Sequence, residues 1–289
     1  MEKLSIRSHD GLELSTLVFE AKQTKALVQI IHGSKEHKER YVDFIHYLND
    51  HGFTVIISDN RGHGESINEE FPLGYMDGYE QIIFDQLILT KYIKARFPNK
   101  ELYMIGHSLG SVFARIYLKH HDDEIDKLVL SGTVNHVPGT CAGVLLGKAI
   151  TAFSGKHGYN ALLEQLSFKN LKDDLWISAS KRNLTKYRQD PLCQYAYQNN
   201  AVVTMLQSVK QLHDFRSYRC TNPYLPIISV SGEQDPITGG EKGLKDSIRS
   251  LRKIGYTNVE GIVYPDMKHE VLNEDDKEKV YQDIVDFLS

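Results

Sequence analysis

The chain has 289 residues, of which 41% are hydrophobic and 25% charged, so its length and composition fit a folded protein of one or two domains. Its net charge of −4, with basic residues scattered along the chain, argues against nucleic-acid binding, and three widely spaced cysteines argue against a disulfide framework or a CxxC zinc site. The sequence shows no signal peptide and no run of about 18 apolar residues, so we expect a cytoplasmic protein without a membrane span.

Short apolar runs recur along the chain and predict the strands. An Asp-Gly turn near residues 9–11 predicts a hairpin at the start. Six compact apolar runs follow, at 26–31, 54–58, 102–105, 128–131, 227–230 and 259–264. Because these runs are continuous rather than alternating, we expect a mostly parallel sheet that is buried on both faces.

Apolar residues with helical spacing lie between these strands, at 41–48, 109–116 and 280–288. Strand alternating with helix predicts an α/β fold, with a mostly parallel central sheet flanked by helices. The alternation stops within residues 134–222, which we predict to be a mainly helical cap or lid insertion, so that residues 1–133 and 223–289 form the core. The apolar stretch 141–153 predicts a helix, either a packed helix of the insertion or a lid over a lipophilic pocket.

The first chemical signal is the pentapeptide Gly-His-Ser-Leu-Gly at 106–110, a G-x-S-x-G motif. It follows a predicted strand and precedes a predicted helix, which is the setting of a nucleophile elbow. The glycines fit this setting because a serine on so tight a turn takes a strained backbone and needs neighbours without side chains. We therefore predict that Ser108 is a nucleophile. A glycine-rich turn that binds phosphate is the alternative, although the Gly-Lys-Ser/Thr ending of a P-loop is missing.

A serine nucleophile needs a base and an acid, and two loops after strands supply candidates. His269 follows the last predicted strand, and Asp235 follows the strand before it. The chain order Ser, Asp, His is the order found with this elbow. Glu233 stays open as an alternative acid. His107, although next to the nucleophile, is expected to be a turn or core histidine that points away from Ser108.

The tetrahedral intermediate of acyl transfer also needs hydrogen-bond donors for its oxyanion. The backbone N–H of Leu109, directly after the nucleophile, is one candidate, and the backbone N–H of Ser34, after the strand at 26–31, is the other. We expect His32 to bond the backbone of that loop. This chemistry requires no metal and no organic cofactor.

Three further segments resemble motifs of one protein family. Residues 31–41 resemble an H-G-x-x-E-H-x-x-R-Y segment, residues 59–66 a D-x-R-G-H-G-x-S loop, and residues 269–274 an H-E-x-x-N-E ending. These are motifs of the monoacylglycerol lipases and the lysophospholipase group of the α/β-hydrolase superfamily. The resemblance covers residues 25–133 and 225–289.

The resemblance implies the α/β-hydrolase fold, a serine ester hydrolase and a catalytic triad of Ser108, Asp235 and His269. It also implies oxyanion donors at Ser34 and Leu109, and a structural role for the loop at 59–66. The chain departs from the family where Leu109 and Ser111 replace the usual Met and second Gly. Leucine for methionine changes little in volume, and the Ser111 hydroxyl removes no donor.

The expected activity is hydrolysis of carboxylic esters through an acyl-enzyme, with a small ester or lipid-like monoester, such as a monoacylglycerol or lysophospholipid, as substrate. A short-chain carboxylesterase or thioesterase and an acyltransferase with the same triad stay open. A peptidase is disfavoured because nothing marks an anchor for a substrate amino group. A binding protein on this fold would be expected to have lost a triad member. Membrane contact is expected to be at most transient, through the apolar stretch at 144–150.

Overall fold

An eight-stranded sheet runs through the computed structural model, which describes residues 1–135, 137–167, 171 and 173–289. The strands are Glu2–Arg7 (β1), Glu13–Phe19 (β2), Ala26–Ile31 (β3), Phe53–Ser58 (β4), Leu102–His107 (β5), Lys127–Ser131 (β6), Ile227–Gly232 (β7) and Val259–Tyr264 (β8). They lie in the order β1-β2-β4-β3-β5-β6-β7-β8. The strand β2 pairs antiparallel with β1 and β4, and the remaining pairs are parallel. The predicted hairpin and all six predicted strands are therefore confirmed.

Helices cover both faces of this sheet. Among the described residues the α-helices are Val42–Asp50 (α1), Tyr79–Arg96 (α2), Leu109–His121 (α3), Thr140–Ser154 (α4), Ala161–Ser167 (α5), Lys181–Gln189 (α6), Asn199–Gln211 (α7), Gly240–Ile254 (α8) and Lys277–Leu288 (α9). One apolar core lies between the sheet and α2, α3 and α8, and a second lies between the sheet and α1 and α9. Every residue of β3, β4, β5 and β7 is buried, as their continuous apolar runs predict.

Two helices, α2 and α8, were not predicted from the sequence. The buried face of α2 includes Asp85, Gln86 and Thr90 beside its apolar residues. The Gln29 side chain bonds both the carbonyl and the side chain of Gln86, and Thr90 donates to Gln29. Hydrogen bonding replaces apolar contact at these positions, so the hydrophobic period of α2 is weak. Helix α8 is clearly amphipathic, with Leu244 and Leu251 on its buried face, so its sequence pattern would have allowed the prediction.

The segment between β6 and β7 (residues 132–226, here the β6–β7 segment) contains α4 to α7 and, among its described residues, no strand. The apolar stretch at 141–153 forms α4. Helix α7 packs against α4 and also against α2 and α3 of the surrounding fold. None of the described helices combines the length and the hydropathy that a membrane span requires.

Candidate active site

Ser108 lies on a sharp turn between β5 and α3. Its backbone has φ 51° and ψ −119°, a left-handed conformation that is strained for serine. The Ser108 N–H donates to the carbonyl of Ser131 on β6, 2.9 Å away, which holds the turn against the sheet. A Cβ on Gly106 would lie 2.5 Å from the Gly110 carbonyl oxygen, and one on Gly110 would collide with the Ile31 carbonyl. The two glycines of the motif are thus required by close backbone packing.

The structure brings Ser108, His269 and Asp235 into one hydrogen-bonded chain. His269 Nε2 lies 2.8 Å from Ser108 Oγ, and His269 Nδ1 lies 2.9 Å from Asp235 Oδ2. A carboxylate only accepts hydrogen bonds, so Nδ1 carries the imidazole proton and Nε2 is left to accept from the serine hydroxyl. The predicted residues therefore stand in the order nucleophile, base, acid.

Asp235 is held as a buried anion by donors from its own turn. Its Oδ1 accepts from the backbone N–H groups of Ile237 at 2.8 Å and Thr238 at 3.3 Å, and its Oδ2 accepts from the Thr238 hydroxyl at 2.8 Å. Burial opposes the charge, but His269 and these donors lower the pKa of Asp235. The alternative acid, Glu233, is exposed, and its Oε2 accepts from the Asp266 N–H at 3.5 Å.

His269 is almost fully buried, and its ring packs against two other rings. Trp176 and His107 each have a ring centroid 5.0 Å from that of His269. Burial alone would lower the pKa of His269, but the adjacent Asp235 carboxylate outweighs it and raises the pKa. His107 is the core histidine that the sequence predicts, since its Nδ1 lies 3.2 Å from Ser131 Oγ, although its ring is closer to the triad than expected.

The loop after β3 (residues 32–37, here the β3 loop) packs against Ser108. A Cβ on Gly33 would lie 2.9 Å from Ser108 Cβ. His32 has the predicted role, because its Nδ1 donates to the Gly33 carbonyl and its Nε2 accepts from the Asn60 N–H, each at 2.8 Å. Within the described part of the chain, neither the Ser34 N–H nor the Leu109 N–H donates to a protein acceptor. Both predicted donors therefore remain available to a substrate oxygen.

A buried ionic network, which the sequence did not predict, joins the β3 loop to the residue after His269 through the Arg40 guanidinium. Glu270 accepts from the Arg40 guanidinium and from Asn183 Nδ2, the latter at 2.7 Å. Glu36 accepts from the Gly33 N–H and from the Tyr41 hydroxyl. Burial and the nearby Glu270 charge raise the pKa of Glu36 to about 7. The only sequence signal for this network was the position of its charged residues within the family-like segments.

His37 lies among side chains that could ligate a metal. It lies within 4.8 Å of Asp190 and Cys193, and also of Glu39 and Asp59, measured between possible ligand atoms. Burial opposes a charge on His37, but hydrogen bonds with Cys193, Glu39 and Asp190 raise its pKa to about 11. Both ring nitrogens therefore carry protons and are donors, whereas a metal requires an unprotonated nitrogen. His37 serves as an ion-pair partner between the β3 loop and the β6–β7 segment.

A cavity of about 640 Å³ lies between the β3 loop and the β6–β7 segment, and none of Ser108, Asp235 and His269 lines it. Lys35 of the β3 loop lines it, together with Trp176, whose ring packs on His269. The other walls come from the β6–β7 segment and include Tyr187, Tyr195 and three acidic side chains. The cavity therefore presents both aromatic surface and charged groups.

Comparison with known proteins gives consistent results. The profile of the family described as serine aminopeptidase, S33, matches residues 22–276. Monoacylglycerol lipase from Mycolicibacterium smegmatis is 24% identical over 266 residues, which cover 91% of this chain and 88% of the relative. Lysophospholipase L2 from Escherichia coli is 22% identical, with 97% of this chain and 85% of the relative covered.

The solved structures agree on the fold. A highly thermostable carboxyl esterase from Bacillus coagulans, in complex with glycerol, superposes with a TM-score of 0.89 at 23% identity, covering 99% of this chain and 97% of the esterase. The predicted α/β-hydrolase fold and family resemblance are thereby confirmed. The chain belongs to the serine aminopeptidase S33 family of α/β hydrolases, in the group that includes monoacylglycerol lipases and lysophospholipases.

Proposed function

We propose that the chain hydrolyses lipid-like monoesters, such as monoacylglycerols or lysophospholipids, through an acyl-enzyme on Ser108. Its relatives are named as lipases, lysophospholipases and carboxyl esterases, and the chain is accordingly a carboxylic ester hydrolase. The observation that carries the proposed mechanism is the unbroken chain of hydrogen bonds from Ser108 Oγ through His269 to Asp235.

In the first half of the reaction, Ser108 Oγ attacks the ester carbonyl carbon while its proton passes to His269 Nε2. The carbonyl electron pair moves onto oxygen, where the N–H groups of Ser34 and Leu109 stabilise the negative charge. Asp235 holds the imidazolium that forms. Collapse of the intermediate breaks the bond to the alcohol oxygen, which takes the proton from His269 Nε2 and leaves an acyl group on Ser108.

In the second half, water replaces the alcohol. His269 Nε2 takes one proton from the water as its oxygen attacks the acyl carbon, and the same two N–H groups hold the new oxyanion. Collapse breaks the bond between the acyl carbon and Ser108 Oγ, which recovers its proton from His269. The products are a carboxylic acid and the free enzyme.

Exposed apolar side chains on α4 support a lipid-like substrate and transient contact with a membrane surface. Leu145 is 71% exposed and Phe153 is 94% exposed, and Leu146 between them is also exposed. All three lie in the β6–β7 segment, which also builds most of the cavity wall. We propose that this segment is the cap of the site and that its apolar surface meets the lipid phase.

The test is a series of p-nitrophenyl esters from acetate to palmitate, followed by a monoacylglycerol and a lysophospholipid, with a fluorophosphonate as a covalent probe. We expect hydrolysis with an optimum at a medium or long chain, and a single adduct on the peptide that contains Ser108. An optimum at acetate would favour the short-chain esterase, and a new ester formed with an added alcohol would favour the acyltransferase. No hydrolysis, or an adduct elsewhere, contradicts the mechanism.

The pH dependence follows from His269, which has to be unprotonated to accept the serine proton. Because the pKa of His269 is raised, kcat/KM should fall as the pH drops through a value above the ordinary histidine value of about 6.5. A pH–rate profile measures this midpoint. Burial and the nearby Glu270 charge also raise the pKa of Glu36, to about 7, so the profile is repeated with Glu36→Gln, in which a limb due to His269 persists. A midpoint at or below the ordinary value would contradict the assignment.

A further inference from the structure

Tyr197, in the β6–β7 segment between α6 and α7, contacts the β3 loop through its hydroxyl group. The hydroxyl oxygen lies 2.8 Å from His63 Nε2, 3.0 Å from Ser34 Oγ and 3.0 Å from the Lys35 backbone nitrogen. The ring is only 4% exposed. One buried side chain from the segment thus contacts both Ser34 and Lys35, on either side of a single peptide bond.

The protonation of the His63 ring determines the direction of each of these hydrogen bonds. His63 Nδ1 lies 3.1 Å from the Arg61 carbonyl and donates to it, because a carbonyl only accepts. Burial lowers the pKa of His63 to about 4, so the ring is neutral and Nε2 carries no proton. The Tyr197 hydroxyl therefore donates to His63 Nε2. Its oxygen then accepts from the Lys35 N–H and from the Ser34 hydroxyl, so each of these three hydrogen bonds has a defined direction.

These bonds act on the backbone that carries the Ser34 N–H. The peptide that contains this N–H is held on one side by His32, which donates to its carbonyl oxygen on Gly33. The next peptide, which contains the Lys35 N–H, is held by Tyr197. Lys35 itself has φ 52°, a left-handed conformation that a lysine adopts only when its surroundings enforce it. Both peptides that flank the Ser34 Cα are thus fixed by side chains.

We propose that Tyr197 is a positioning residue for the oxyanion hole. By holding the Ser34–Lys35 peptide, it orients the Ser34 N–H. This inference rests on the proposed function, in which the Ser34 N–H stabilises the oxyanion. It also gives the β6–β7 segment a part in catalysis beyond shaping the cavity, because the hole is correctly formed only while Tyr197 is seated on the β3 loop. Of the two side chains that hold the peptides flanking the Ser34 Cα, His32 is local in sequence and Tyr197 is distant.

The test is Tyr197→Phe, which keeps the buried ring and removes the hydroxyl. Complete removal of an oxyanion donor costs about 10²–10³-fold in kcat, so a donor that is retained but poorly aimed should cost about 10-fold, with KM changed less than about 2-fold. The affinity of a trifluoromethyl ketone, whose hemiketal oxygen occupies the oxyanion position, should weaken by the same factor as kcat/KM. Ser34→Ala removes one of the two hydrogen bonds between the β3 loop and Tyr197 and keeps the one from the Lys35 N–H. It should therefore lower kcat and the ketone affinity by a smaller factor.

Tyr224→Phe is the matched control, since Tyr224 is 76% exposed, and it should behave as wild type. Thermal unfolding of each variant separates a fold defect from a site defect. Wild-type kcat in Tyr197→Phe, or a lower kcat with unchanged ketone affinity, would overturn the inference. If the wild type hydrolyses no ester and Ser108 takes no fluorophosphonate, the proposed function has failed instead, so the two failures are distinguishable.

Discussion

Replacing Asp235 by asparagine should lower kcat/KM by about 10⁴-fold without unfolding the protein. In the structure, Asp235 Oδ2 accepts from His269 Nδ1 at 2.9 Å, which fixes the tautomer with a free Nε2. An asparagine amide presents an N–H₂ group that Nδ1 can accept from, so the ring proton moves to Nε2. That nitrogen then faces Ser108 Oγ as a donor and can no longer take its proton.

Steady-state kinetics on the best p-nitrophenyl ester measure this loss, and circular dichroism checks the fold. The control is Glu233→Gln, which changes the exposed carboxylate two residues earlier and should leave kcat/KM within about 2-fold of wild type. Loss of activity in Glu233→Gln, with Asp235→Asn still active, would assign the acid to the other side chain. That result would reopen the alternative that the sequence alone leaves between the two carboxylates.

The sheet could be predicted from the sequence because each central strand is a short, continuous apolar run. Burial on both faces imposes that pattern, and it is local. The elbow is local as a motif, and Gly106 is required by contacts within its own strand, turn and helix, whereas Gly110 is required by the Ile31 carbonyl of β3. Asp235 and His269 could be predicted because each follows such a strand, and the carboxyl ends of parallel strands meet at one edge of the sheet.

The contacts that complete the site could not be predicted, because they join positions far apart in the chain without a periodic pattern. Trp176 packs on His269 and Tyr197 bonds the β3 loop, yet both come from a segment in which no motif marks them. Helix α2 was missed for a related reason. Its buried polar residues are satisfied by partners such as Gln29, which a hydrophobic pattern does not reveal.

The loop at 59–66 is held in part by a buried ion pair between Arg61 and Asp85. Arg61 is fully buried, and its Nε and Nη2 donate to the two oxygens of Asp85 at 2.7 and 2.8 Å. A third nitrogen, Nη1, donates to Asp10 at 2.7 Å. No atom of Arg61 bonds a triad residue. The geometry therefore agrees with the structural role that the family resemblance implies for this loop.

Arg61→Met should destabilise the protein by about 3–5 kcal/mol, because it leaves the Asp85 carboxylate buried without its partner. Burial already raises the pKa of Asp85, and without the guanidinium the pKa should rise further. A carboxyl group whose pKa is higher in the folded than in the unfolded state adds stability at low pH, and this stability is lost as the pH rises. The difference in free energy of unfolding between wild type and Arg61→Met should therefore grow from acidic to neutral pH.

Urea unfolding of Arg61→Met and wild type at several pH values measures this difference. Arg249→Met is the matched control, since Arg249 pairs with Asp246 at 2.6 Å but the two side chains are 77% and 52% exposed. Breaking that surface pair should cost less than about 1 kcal/mol at any pH. A deficit in Arg61→Met as small as that of the control would mean that Asp85 is solvated or neutral in the wild type. A loss of stability that does not depend on pH would mean that it comes from the lost packing of Arg61 rather than from the unpaired Asp85 carboxylate.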